Sequence, residues 1–157
     1  MSAQNEVSRS SALVVGNTTV DLRLITPRPL QEKDGHLLLP VGGKIPVQVE
    51  ATIGGNAANV AVSLGRQGVD VTLFTFTARH CDSTAIIENA FRREGIPVIE
   101  DVDESEGGQN PTSVVIPSAH DRTIFSGKPV RANTFSGEKV AHLAPPQCVY
   151  LTSIGDP

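Results

Sequence analysis

Gly54-Gly55-Asn56-Ala57-Ala58-Asn59-Val60-Ala61 is the stretch on which the reading of this chain turns. Ahead of it the hydrophobic period is two: Val47, Val49, Ala51 and Ile53 alternate with Gln48, Glu50 and Thr52, as in a strand with one apolar face. Behind it the period is helical, with Ala57, Val60, Ala61 and Leu64 recurring through Gln67, Arg66 in the last turn, and Gly68 suited to the left-handed position beyond. The two glycines therefore occupy a strand-to-helix corner. There the backbone can approach a ligand closely, and the free N–H groups of the first helical turn offer donors to hydroxyl or anionic oxygens. Asn59 adds an amide that both donates and accepts, a combination that suits a polyol. Taken alone, Gly-Gly more often marks a plain helix start that packs tightly.

Upstream, Ala12 to Gly16 is a short apolar run closed by glycine, which predicts a buried strand, and Asp21 follows its end. From Leu22 to Ile53, short Val/Ile/Leu runs are broken by Thr26-Pro27-Arg28-Pro29, Lys33-Asp34-Gly35 and Val41-Gly42-Gly43-Lys44, which predicts small antiparallel strands. Downstream, Val69 to Phe76 is the next strand. Asp82 is placed to cap a helix through Glu94 with the face Ile86, Ile87, Ala90 and Phe91, and Gly95 ends it before a strand at Ile96 to Ile99. Asp101 to Asn110 is acidic and Gly-rich and lacks the register of a calcium loop, so a solvated loop or edge is expected. Thr112 to Ile116 and Thr123 to Phe125 form a hairpin pattern, and a weak helix around Gly137 to Leu143 precedes a last strand, Gln147 to Ile154.

Strands alternating with helices predict an α/β fold, a mainly parallel sheet flanked by helices. The segments of about 22–53 and 100–127 form a small inserted β lid. The unit spans 12–157, after a loose, Ser-rich tail from Met1 to Ser11. Ligands of such folds bind at the C-terminal edge of the strands, where Asp21 and Gly54-Gly55 are expected.

The 157 residues include 39% hydrophobic and 19% charged side chains, enough to bury one core. A net charge of -4 with scattered Lys and Arg argues against nucleic acid as a partner. No apolar run reaches the roughly 20 residues of a membrane helix, and the tail has no apolar core of a secretion signal, so no membrane association and a cytoplasmic setting are expected. Asn17-Thr18-Thr19 is then a chance glycosylation sequon. Cys81 and Cys148, without CxxC or ligand spacing, are expected to be reduced, buried thiols, and no metal site is expected. The dispersed His36, His80, His120 and His142 suit surface or turn positions. There is no GxGxxG, and Ser126-Gly127-Lys128-Pro129 lacks the earlier glycine and the Ser or Thr of a phosphate loop. HExxH and GxSxG are absent too.

Taken together, Val14-Val15-Gly16 with Asp21, then Ile53-Gly54-Gly55-Asn56-Ala57-Ala58-Asn59-Val60-Ala61, then Leu64-Gly65 and Gly68 before a strand, resemble the first signature of ribokinase-like, PfkB-type carbohydrate kinases. The resemblance runs from Ala12 over nearly all of the chain. It implies a ribokinase-like fold, truncated before the nucleotide-binding half, and an acceptor pocket for a sugar or nucleoside made by Asp21, Gly54, Gly55 and Asn59. It also implies ATP and Mg2+ for the parent enzyme, with a monovalent cation as a further candidate; the inserted β segments, whose open edges invite pairing, lead to the expectation of a homodimer through the β lid. The family's Gly-Ala-Gly-Asp motif, whose Asp is the catalytic base, is absent from these residues. The expected catalytic, cofactor and metal residues in this chain are therefore none, and phosphoryl transfer by the chain alone is not expected. The usual Gly-Asp turn after the second strand is replaced by Thr77-Ala78-Arg79-His80-Cys81-Asp82, and the role of Asp156 is left open. A non-catalytic sugar-binding or dimerisation module is the alternative.

Overall fold

A computed structural model describes residues 10–104, 108–127, 135–152 and 154. The elements in chain order are β1 (Ser11–Gly16), β2 (Thr19–Ile25), β3 (Glu32–Lys33), β4 (His36–Leu37), β5 (Gln48–Gly54), α1 (Asn56–Arg66), β6 (Asp70–Ala78), α2 (Ser83–Glu94), β7 (Val98–Asp103), β8 (Thr112–Pro117), β9 (Arg122–Gly127), a short 3-10 helix (Gly137–Val140) and β10 (Cys148–Thr152).

β1 and β6 are buried along nearly their whole length, so both of their faces are covered, the condition that favours a parallel sheet with helices. The main sheet has the order β10-β1-β6-β7 with every pair parallel. On one face Val14, Val71 and Leu73 meet Ala57 and Ala61 of α1 and Ile87 and Phe91 of α2. On the other, Leu13, Val15 and Phe74 meet Phe135, Val140 and Leu143, with the Phe74 and Phe135 rings edge to face at 5.1 Å. Ile87 and Phe91 are fully buried, which stabilises the fold by about 1.5–3 kcal/mol each. The bidentate pair from Arg66 to Glu94, with Nη2 to Oε1 at 2.6 Å and Nε to Oε2 at 2.9 Å, ties the C-terminal ends of α1 and α2 together.

A second sheet, order β5-β2-β8-β9, is the inserted lid. β2 pairs antiparallel with β5 and parallel with β8, and β8 turns back into β9. The period of two gives this sheet opposite faces. Val20, Leu22 and Ile53 pack onto the core beside α1 and α2, whereas Thr52, Asp21, Ser113 and Ser126 share the other face. At the far end β3 and β4 make a small hairpin closed by Asp34-Gly35.

Several expectations are corrected. Ser11 opens β1 instead of ending a tail, since the Ser10 carbonyl accepts from the Asp70 N–H at 2.9 Å; the remaining tail, 1–9, lies outside the described residues, as do Asp156 and 155–157. β7 runs on to Asp103, paired with β6 as Thr77↔Val102 and Ala78↔Asp103. The start of the acidic stretch therefore belongs to the main sheet, Asp103 is 5% exposed, and the second lid segment starts at β8 and not near residue 100. The Lys139 ammonium, 2.9 Å from Asp101, offsets the charge there. Asp82 stands at the N-cap of α2 but makes no side-chain cap bond. In β5 only Ile53 joins the core, and Val47 and Val49 stay exposed. Cys148 is exposed on the edge strand β10, along with Val149, Tyr150 and Leu151, while Cys81 is half-buried. All four histidines are exposed.

Candidate functional site

The β2–β5 ladder sets Thr19 opposite Gly54 and Asp21 opposite Thr52. In this register the Asp21 side chain leans over the Cα of Gly54. A Cβ there would lie 2.7 Å from Asp21 Cγ and 2.9 Å from Oδ1, and would overlap Oδ2, so only a glycine leaves the carboxyl its place. The Thr19 hydroxyl donates to Asp21 Oδ1 at 3.0 Å and aims it. Gly55 turns the corner at φ 88 and ψ 152, a region essentially confined to glycine, and no side chain caps α1. The half-buried Asp21 carboxyl and the start of an uncapped helix thus meet at one corner, an acceptor and a set of donors such as a polyol engages.

The corner is held by residues that sequence reasoning did not single out. The buried Thr18 N–H donates to Thr75 Oγ1 at 3.1 Å, and the Thr75 hydroxyl donates to Thr18 Oγ1 at 3.0 Å, pinning the β1–β2 turn to the main sheet. The visible signal was the pair of threonines in the otherwise apolar Phe74-Thr75-Phe76-Thr77.

Asn59 lies elsewhere. It is exposed, one turn into α1, and lines an open groove of about 730 Å³ with Thr52, Ile53, Val62, Arg66 and Glu94, a groove that Asp21 does not line. The structure therefore brings Asp21, Gly54 and Gly55 together and sets Asn59 apart.

Where the expected Gly-Asp turn is replaced, β6 and α2 are joined by a polar knot. Asn110, 3% exposed, accepts from the Ala78 N–H at 2.9 Å and donates to Ser83 Oγ at 3.0 Å and Thr84 Oγ1 at 2.7 Å. The Thr84 hydroxyl donates to the Ala78 carbonyl at 2.6 Å. Cys81 Sγ lies 2.9 Å from Ser83 Oγ. Burial pushes the Cys81 thiol up, but the bond with Ser83 and backbone bonds at Asn110 and Ser83 outweigh it, and the net shift is downward. A separate apolar cup of about 630 Å³ lies in the distal lid, lined by Pro27, Leu30, Leu38, Leu39 and Ile45 among others. Among the described residues no group of three or more His, Cys, Asp or Glu could hold a metal ion, and no helix is long and apolar enough to cross a membrane.

No protein-family model matches the sequence, and no curated protein matches it. The fold is similar to solved structures. A ribokinase from Cryptococcus neoformans var. grubii serotype A, in complex with ADP, matches with a TM-score of 0.59 at 19% identity, over 90% of this chain and 42% of that one. A carbohydrate kinase from Agrobacterium tumefaciens gives 0.56 at 19% identity, over 75% and 35%. The ribokinase from Giardia lamblia gives 0.56 at 14% identity, over 75% and 33%. The chain thus matches between a third and under half of each of these structures. Its architecture, a parallel sheet with two helices and a four-stranded lid, is the ribokinase-like fold of carbohydrate kinases.

Proposed function

We propose that this chain is the acceptor-binding part of a PfkB-type sugar or nucleoside kinase, an enzyme that moves the γ-phosphate of ATP to a hydroxymethyl group. The observation that carries the reading is the Asp21 carboxyl resting on Gly54, with Thr19 as its donor, beside the uncapped start of α1. A carboxyl aimed by one donor keeps acceptor capacity for sugar hydroxyls, and the glycine corner lets the ring approach the backbone. In this reading Asp21, Gly54 and Gly55 bind the acceptor, and Asn59 joins them only if α1 shifts relative to the lid. Lid closure would exclude water from the reacting phosphate.

In the same reading ATP and Mg2+ are held by the parent enzyme outside this chain, whose sequence has no Gly-Ala-Gly-Asp stretch. No step is derived through either, nor through a monovalent cation, and the chain alone is proposed to bind and not to turn over. A cytoplasmic setting belongs to the same reading. Titration calorimetry with ribose, fructose and nucleosides tests it: millimolar or tighter binding that is lost in Asp21→Ala is expected. Binding retained in that variant would refute the site.

The dimerisation reading is favoured by one observation. Both edge strands of the lid carry exposed apolar side chains, Val49 at 56% on β5 and Ile124 at 49% and Phe125 at 56% on β9. Open edges and apolar faces invite pairing with a second copy. Light scattering that finds a strict monomer at micromolar concentration would exclude a homodimer through the lid.

A further inference from the structure

Asp21 is one member of a row. The register pairs Thr52 with Asp21, Asp21 with Ser113 and Ser113 with Ser126, so four polar side chains, one from each strand, stand side by side on one face of the lid sheet. Directly paired residues project to the same face, and adjacent strands lie about 4.8 Å apart, which makes the row about 14 Å long. Its neighbour on the same face is of another kind: Glu50, Arg23, Val115 and Ile124, in which the charges sit together at one end, 3.9 Å apart, and the other end is aliphatic.

Ser113 is the telling member. It is 8% exposed, yet among the described residues its hydroxyl has no hydrogen-bond partner. Buried polar groups are satisfied in the great majority of cases, and a buried hydroxyl with no partner among the described residues, standing beside the Asp21 carboxyl, has hydrogen-bonding capacity to give a ligand. Ser126 is exposed, and among the described residues it too has no partner. It stands two strand spacings, about 10 Å, from Asp21, beyond the reach of a sugar ring seated on that carboxyl.

We infer that the acceptor is a polyhydroxylated molecule of more than one ring, a glycoside, whose reacting ring lies on Asp21 and Ser113 and whose second ring extends along the row to Ser126. The inference rests on the acceptor-site reading above. Hydroxyl side chains pair equally well with donors and acceptors, which a second sugar ring supplies in number and the flat face of a nucleobase does not. The exposed aliphatic Ile124 alongside would cover the C–H face of the same ring.

The test is calorimetric titration of the full chain with fructose and ribose against sucrose and maltose, on wild type, Asp21→Ala, Ser113→Ala and Ser126→Ala, each checked for folding by circular dichroism. Disaccharides should bind more tightly than monosaccharides. Ser126→Ala should weaken disaccharide binding about two- to tenfold, the worth of a neutral hydrogen bond, and leave monosaccharides unchanged; Ser113→Ala should weaken both. If Asp21→Ala abolishes binding while both serine variants behave as wild type, the acceptor site stands and the extended row is overturned. If no sugar of either size binds, the acceptor reading fails and the row fails with it.

Discussion

Substitution of Gly54 by alanine isolates the contact on which the site depends. Gly54 is not among the glycines with positive φ, so its backbone suits alanine, and the three nearest atoms that a Cβ there would meet all belong to the Asp21 carboxyl. Forcing a methyl group into a filled space costs about 1–3 kcal/mol, while replacing glycine in an ordinary conformation gains about 0.4–1 kcal/mol through the unfolded chain; a net loss of about 1–2 kcal/mol is expected. In an Asp21→Ala background the obstacle is gone, and the same change should be neutral or slightly stabilising. The cycle should therefore show a coupling of about 1–3 kcal/mol between the two positions. Urea unfolding followed by circular dichroism reads this out: with a slope of about 1–3 kcal/mol per molar, Gly54→Ala shifts the midpoint down by roughly 0.5–1 M in the wild-type background only. Gly55→Ala is the control. Its φ of 88 and the Asn17 carbonyl, 2.7 Å from a Cβ placed there, penalise any side chain whatever stands at 21. An equal cost for Gly54→Ala in both backgrounds would refute the packing of Asp21 on Gly54.

Asn110→Ala should cost about 1–3 kcal/mol in a denaturant titration, because it strands the buried Ala78 N–H; a midpoint unchanged from wild type would contradict the polar knot. The hydrogen bond from Arg66 and the nearby guanidinium charge hold the Glu94 carboxyl below its ordinary range, so the stability it adds is present above its unfolded pKa and is lost as pH falls through its lower folded pKa. Carbon-detected NMR titration should place Glu94 below an ordinary glutamate and Arg66→Ala should return it; no difference between the two proteins would dismiss the pairing in solution. In a Cys148→Ser background, Cys81 should alkylate with a pH midpoint below that of a free thiol, and Ser83→Ala should raise the midpoint.

The sequence made the α/β alternation legible because period-two and helical patterns meet sharply at Gly54-Gly55, and the two helices fall within a residue or so of where Arg66-Gly68 and Glu94-Gly95 put their ends. Strand ends were less legible. Asp101 to Asp103 look like loop, but pairing with β6 and the cation of Lys139 keep them in the sheet, and neither influence is local in sequence. Val47 and Val49 alternate correctly yet stay exposed, since periodicity gives the face and not what covers it. At the site, Asp21 lies against Gly54, next to Gly55, because the β2–β5 register sets Thr19 opposite Gly54. The separation of Asn59 and the burial of Ser113 beside Asp21 depend on how α1 and four strands are juxtaposed, which no local pattern encodes.

The β2–β5 ladder treats added length very differently from one place to the next. A single residue inserted within either strand turns every following side chain over, and would exchange Asp21 for an aliphatic neighbour against Gly54. Between Ile25 and Gln48, by contrast, the chain has already left the ladder, and lengthening a flexible connection costs only about 0.6 kcal/mol per doubling. The lid tip is thus the natural place to graft a dye-labelled peptide or a foreign recognition loop, a reporter carried by the same sheet that carries Asp21.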